Sequence, residues 1–329
     1  MNIDKSNMRQ IIIDSPLQLK KGLELVGGVK IEGNFNNVVI CGIGGSALPV
    51  SILNTVTASN IPILAHKDYN LPSEANEKSL IICISYSGNT EEPISGLQEA
   101  LSKNLKIIGI ASGGRVEEIC KKNNLPFVKI PPGIQPRSAT GYIFSTLVKV
   151  LANSGIIKDL SDEILETTEE IEKMNEGLEK QGKDLAEKLF EKIPIIYASN
   201  KFKSIARIWK IKFNENSKTP SFYNYFPELN HNEMVGFSQL KKDSKFYFII
   251  LKDDQSHPRN LKRMDLFGSL LKEKGSGVSF VDIKQGSLMS KVFSTLLLGD
   301  WTSYYLALKY KFDPTPVKMV EEFKKMMAE

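Results

Sequence analysis

Within the first 130 residues, a short apolar run passes three times into glycines or hydroxyls and then into a helix-forming stretch. Asn37-Val38-Val39-Ile40-Cys41 leads into Gly42-Ile43-Gly44-Gly45-Ser46-Ala47 and a helix over 48–57. Leu80-Ile81-Ile82-Cys83-Ile84 leads into Ser85-Tyr86-Ser87-Gly88-Asn89-Thr90 and a helix over 91–103. The run 106–111 leads into Gly113-Gly114 and a helix over 116–122, and further strands are predicted at 61–65 and 126–130. Strands that are apolar along their whole length and alternate with helices predict a parallel sheet covered on both faces. Ligands of such sheets bind at the carboxyl ends of the strands. Gly44, Gly45 and Ser46 lie there, as do Ser85, Ser87 and Thr90, so the two loops can face one ligand.

The second loop has the chemistry of an anion site. Three hydroxyls and the N–H groups of a glycine turn converge on a helix start, where orphan donors and the helix dipole favour a phosphate. Gly88 allows a tight turn or a close approach to a ligand. The loop has no lysine, so it is not the Walker phosphate loop. The same residue types also make ordinary turns. A competing pattern is Gly42-x-Gly44-x-x-Ala47 with Asp68 about 20 residues on, the dinucleotide-binding fingerprint.

A chain of 329 residues is long for one compact domain, and the charged stretch 158–192 supplies a boundary. It has no proline and is rich in Glu and Lys, with apolar residues at near-helical spacing. The expected organisation is therefore 1–157, a helical linker over 158–192, and 193–329. The last part repeats the α/β pattern without a Gly-Gly-Ser turn. It has strands at 193–199, 245–252 and 277–283, helices at 202–217, 258–274, 288–310 and 317–327, and a strand-like 223–226. With 43 basic and 38 acidic side chains interspersed, the net charge of +5 makes no case for nucleic acid. Cys41 and Cys83 lie in strand-like runs and no Cys-x-x-Cys occurs, so the thiols are expected buried in a reducing compartment, the cytoplasm. No signal peptide or membrane-length apolar run is read. His66, His231 and His257 are too dispersed to predict a metal site.

Four further side chains are chemical candidates. Arg137 follows the stiff Pro131-Pro132-Gly133-Ile134-Gln135-Pro136 passage and offers a fixed cation, or is a surface arginine after a proline turn. Glu215 lies in Asn214-Glu215-Asn216 near a helix end, His231 in a polar connection, and His257-Pro258 at a helix start.

These motifs in this order, with His231-Asn232 and Asp313-Pro314 before a lysine-bearing helix, resemble the bifunctional phosphoglucose/phosphomannose isomerases of the sugar-isomerase (SIS) fold superfamily. The resemblance runs from about residue 35 to the end. It implies two SIS-type α/β/α domains and interconversion of glucose 6-phosphate and mannose 6-phosphate with fructose 6-phosphate through an enediolate, without cofactor or metal. It implies that Gly44, Gly45 and Ser46 hold the sugar, and that Ser85, Ser87 and Thr90 hold its phosphate. Arg137 then stabilises the enediolate, Glu215 is the base, and His231 and Lys324 assist ring opening, with Lys325 the alternative lysine. A homodimer with a shared site is implied, His231 reaching in from the partner. The family's threonine, seven residues before its lysine, falls here on Val317, while Thr315-Pro316 lies two positions earlier. Thr302 and Ser303 are expected to be surface or packing positions without a catalytic part. Rival readings are a non-catalytic sugar-phosphate sensor, the isomerase half of an aminosugar synthase, a dinucleotide enzyme and a zinc-dependent phosphomannose isomerase. The first two call for a DNA-binding or a glutaminase module that this sequence is not expected to carry.

Overall fold

The computed structural model describes residues 3–241, 244–283 and 286–328. The chain forms two compact units, Asp14–Glu172 and Lys173–Glu329, the latter joined by Met1–Ile13. The sequence pattern puts the domain edges at 157 and 193. The units divide at 172/173, inside one long helix, and the first 13 residues go with the distant half of the chain.

The chain opens with α1 (Met8–Ile13), which belongs to the C-terminal unit. The N-terminal unit then runs α2 (Leu17–Glu24), β1 (Asn37–Cys41), α3 (Leu48–Val56), β2 (Ile63–His66), β3 (Ser79–Ser85), α4 (Glu91–Ser102), β4 (Lys106–Ala111), α5 (Gly114–Lys122), β5 (Phe127–Lys129) and α6 (Thr140–Asn153). Its five strands are all parallel, in the order β2-β1-β3-β4-β5. β1 and β3 are buried along their whole length, which is why they read as unbroken apolar runs. On one face Val39, Cys41, Ile81 and Cys83 pack against Ile94 and Leu97 of α4 and Val116 and Cys120 of α5. The alternate residues Val38, Ile40, Ile82 and Ile84 are equally buried, as a sheet covered on both faces requires.

Helix α7 (Ser161–Leu189) carries the chain into the second unit. There follow β6 (Ile193–Ser199), α8 (Lys203–Asn216), β7 (Phe222–Phe226), α9 (Glu233–Gly236), β8 (Phe246–Asp253), α10 (Pro258–Glu273), β9 (Gly277–Ile283), α11 (Leu288–Lys309) and α12 (Lys318–Ala328). The four strands are again parallel, ordered β7-β6-β8-β9. This core is aromatic: Tyr197, Phe226, Phe248 and Phe267 pack with Ile195, Ile250 and Met264. The N-terminal segment is tied on through Asp4. Its carboxylate accepts the Met8 and Arg9 N–H groups at 2.7 and 2.9 Å and the Tyr304 hydroxyl of α11 at 3.2 Å. Arg9 also pairs with Glu179 of α7 at 2.8 Å. Both units are α/β/α layers around a parallel sheet, as expected.

Candidate active site

A parallel sheet ordered 2-1-3-4-5 reverses its winding between strands 1 and 3, and a crevice opens there at the carboxyl ends. In the N-terminal unit the two loops at that point are those after β1 and β3. After β1, Gly44–Ala47 forms one 3₁₀ turn that feeds α3. Gly44 takes φ +56°, in the left-handed region where glycine is favoured. Gly45 lies against the Pro136–Arg137 backbone: a Cβ there would stand 2.6 Å from the Arg137 nitrogen. The loops are joined by Ser46, whose buried Oγ accepts the Tyr86 N–H at 3.0 Å.

After β3, the Ser85 hydroxyl donates to the Thr90 Oγ1 at 2.9 Å, and the Ser85 carbonyl accepts the Gly88 N–H at 3.0 Å. Gly88 has φ +73°, and a Cβ on it would lie 1.7 Å from the Gly113 carbonyl oxygen. The loop is thus locked against the turn after β4, and only glycine fits. Asn89 adds a second tie, its Oδ1 accepting the Arg115 N–H at 3.0 Å. Ser87 stands exposed at the loop's crest, and Thr90 begins α4. Glu91, in the first turn of α4, would oppose an anion, but its carboxylate is engaged by the Tyr69 hydroxyl at 2.9 Å.

Arg137 is 1% exposed, which excludes the reading of a surface arginine. Burying a guanidinium is costly unless it is paired; one contact is Nη1 donating to the Gln135 Oε1 at 3.4 Å. Tyr86, which the sequence did not single out, holds this passage. Its hydroxyl donates to the Pro131 carbonyl at 2.9 Å and accepts the Ile134 N–H at 3.2 Å. Burial raises the tyrosine's pKa, so it remains a donor. Gly45, Ser46, Ser85, Ser87, Thr90 and Arg137 therefore belong to one connected construction. Asp68 is turned onto its own chain, accepting the Tyr69 N–H at 2.8 Å.

The crevice between β6 and β8 of the C-terminal unit is different. Where the first unit has a hydroxyl loop, the residues at the end of β8 are acidic. Buried Lys291 bonds Asp254 at 2.7 Å and Asp253 at 3.2 Å. Carboxylates there would repel a phosphate.

Glu215 occupies the last turn of α8 and is half-buried. The turn is pinned by Lys212 to Asp300 at 2.5 Å and by Asn216 Nδ2 to the Ser303 Oγ at 2.9 Å. Thr302 and Ser303 are fully buried packing positions rather than surface ones. Glu215 lines a cavity of about 660 Å³ with Lys218, Asp313, Val317, Lys318 and Met319. His231 ends a 3₁₀ turn, Glu228–His231, and is exposed. The following α9 is anchored through Glu233, which accepts the Tyr197 hydroxyl at 2.5 Å and the Asn224 amide. Lys324 and Lys325 are exposed on α12 and do not line the Glu215 cavity. His257 is an N-cap, its Nδ1 accepting the Arg259 N–H at 3.1 Å. Among the described residues no group of three His, Cys, Asp or Glu gathers as a metal ion would require.

Comparison with known proteins agrees with this architecture. Residues 178–327 match the family model of the bacterial phospho-glucose isomerase C-terminal SIS domain. A bifunctional phosphoglucose/phosphomannose isomerase of Caldicellulosiruptor bescii is 37% identical, covering 98% of this chain and 99% of that one. One from Aquifex aeolicus is 33% identical over 88% and 90% of the two chains. The crystal structure of glucosamine-6-phosphate deaminase from Thermotoga maritima superposes with a TM-score of 0.68 over 93% of this chain and 96% of its own, at 17% identity, a likeness of fold.

Proposed function

The chain belongs to the bifunctional phosphoglucose/phosphomannose isomerase family, and we propose that it interconverts glucose 6-phosphate and mannose 6-phosphate with fructose 6-phosphate through an enediolate, without a metal ion. The observation that carries this reading is the connected cradle of Ser46, Ser85 and Thr90 at the β1/β3 crevice, with the buried Arg137 backbone against Gly45.

Ser85, Ser87, Thr90 and the first N–H groups of α4 take the phosphate, and Gly44, Gly45 and Ser46 take the sugar. The phosphate is remote from the reacting carbons, so its binding energy goes into orientation. His231 and Lys324 assist ring opening, moving protons at the ring oxygen and the carbon 1 hydroxyl. On open-chain fructose 6-phosphate, Glu215 takes a proton from carbon 1. The C–H electron pair forms the enediolate double bond, and the charge on oxygen is met by Arg137. The hydroxyl proton passes from oxygen 1 to oxygen 2, and as the carboxyl returns its proton to carbon 2 the electron pair on oxygen 1 re-forms the carbonyl at carbon 1. Glucose and mannose forms differ in the face protonated, which rotation about the bond between carbons 2 and 3 exchanges.

We read the active species as a homodimer in which His231 serves the partner's substrate. Its exposure supports this, as do the exposed Phe222 and Tyr223 on edge strand β7 and Val235 on α9. Three free buried cysteines fit a reducing, cytoplasmic setting.

The test is a coupled assay of fructose 6-phosphate in the presence of chelator, following both aldose phosphates. Formation of both at comparable rates is expected. A single product rejects the dual specificity, and tight sugar-phosphate binding without turnover favours a non-catalytic sensor.

A further inference from the structure

Lys218 shares its backbone place with Glu191 and Lys311, which take φ +60° just past α7 and α11, and is set apart by its side chain. It follows the end of α8, three residues after Glu215, and takes φ +56°. Left-handed residues just past a helix are usually Gly or Asn, because a longer side chain is strained there. What distinguishes Lys218 from the other two is where its side chain goes. Its ammonium donates to the carbonyls of Glu215 at 2.8 Å, Asn216 at 3.2 Å and Pro314 at 3.0 Å.

An ammonium has three N–H donors, and Lys218 directs them at three backbone carbonyls. Two belong to the last turn of α8, whose carbonyls lack intrahelical partners and form the negative end of the helix dipole. The third lies 96 residues further on, in the connection between α11 and α12. Cap formation alone would need only the first two. Asp313, which precedes Pro314, and the first turn of α12 line the same cavity as Glu215.

We propose that Lys218 is a positioning residue for the isomerisation, clamping the Glu215 turn to the root of α12 so that the carboxylate keeps its place during proton transfer. This rests on Glu215 being the base. The clamp acts on the reacting geometry and not on the phosphate cradle, so its loss lowers kcat and leaves KM nearly unchanged.

The test compares K218M, K218G, K218C and E215Q in the full-length protein, with fructose 6-phosphate as substrate. K218M and K218G are expected to lose thirtyfold or more in kcat with KM within twofold. K218G, freed of backbone strain, should also unfold within a few degrees of wild type. Treating folded K218C with 2-bromoethylamine converts the introduced thiol into a lysine analogue and should restore most of kcat. The native thiols are shielded by burial, which pushes Cys41 up to about 12, Cys120 up to about 11 and Cys83 well above the usual value. Wild-type kcat in K218M alongside an inactive E215Q overturns the clamp alone. Aminoethylation that restores thermal stability but not kcat also overturns it, leaving a helix cap. Retained turnover in E215Q overturns the base assignment, and the clamp with it.

Discussion

The contact between Gly45 and the Pro136–Arg137 backbone allows the placement of Arg137 to be tested without touching its charge. In Gly45→Ala the new Cβ would meet the Arg137 nitrogen at 2.6 Å and the Pro136 carbonyl carbon at 2.7 Å, where ordinary contact begins at 3.4 Å. Relief requires a retreat of about 0.8 Å by one of the two segments. Pro136 fixes its own φ, so the turn is expected to move as a body and carry the guanidinium with it. A misplacement of about 1 Å at a catalytic group costs on the order of 10²-fold. G45A should therefore lower kcat/KM by roughly 30- to 100-fold, about 2–2.7 kcal/mol of transition-state stabilisation. Gly109→Ala is the control. Its Cβ would meet the Cys120 Sγ at the same 2.6 Å, but in the packing of β4 against α5. Overpacking costs typically 1–3 kcal/mol of stability, so G109A should lower the unfolding temperature while kcat/KM stays within threefold. Steady-state assay at saturating and limiting fructose 6-phosphate, with thermal melts, reads both. G45A with wild-type kcat/KM, or losses in G45A and G109A that follow stability alike, would refute the role of this contact.

Two further expectations concern the cradle and its unit. Ser87→Ala, at the exposed crest, should raise KM for sugar phosphates about tenfold with stability unchanged, whereas Ser85→Ala, buried and bonded to Thr90, should also cost about 1–2 kcal/mol in urea unfolding. Equal effects on KM and stability in S87A would speak against direct phosphate contact. The Lys149 ammonium, and then the Ser161 hydroxyl, hold the Asp159 carboxyl down to about 2, below the ordinary aspartate value. A depressed carboxylate stabilises the fold above its unfolded pKa, and that contribution is lost as pH falls through the folded one. With half of the Asp159 side chain exposed, the pair contributes about 1 kcal/mol or less. Asp159→Asn should thus show a small loss in urea midpoint at pH 7 that closes between about pH 4 and 2; a gap that persists at pH 2 contradicts this.

The strands and loops at the β1/β3 crevice were legible because local rules and the fold agree there. Strands buried on both faces must be apolar throughout, and a chain turning at their carboxyl ends shows its glycines and hydroxyls. The charged stretch 158–192, which reads as one helix or two, is a single helix from Ser161 to Leu189. What stayed hidden depends on partners distant in sequence. Nothing around Asp4 announces that its carboxylate meets Tyr304 300 residues away, so by sequence alone the first 13 residues belong with the nearer unit. Pro136-Arg137 reads as a surface turn until its burial is known. Thr302 and Ser303 read as either surface or packing positions of a long helix until α8 is packed on α11, where Ser303 accepts the Asn216 amide. Lys218 resembles any exposed lysine, since neither its backbone φ nor the Pro314 carbonyl can be read from neighbouring residues.

The central claim is that one carboxylate, Glu215, moves the proton between carbons 1 and 2. The most direct measurement is NMR of fructose 6-phosphate incubated in D₂O with wild type and with Glu215→Gln, after calorimetry has established that both bind the sugar phosphate. The account predicts deuterium at carbon 2 of both aldose phosphates from wild type, and from E215Q binding within a few-fold of wild type with neither product nor exchange. Deuterium incorporation by E215Q at the wild-type rate would contradict it.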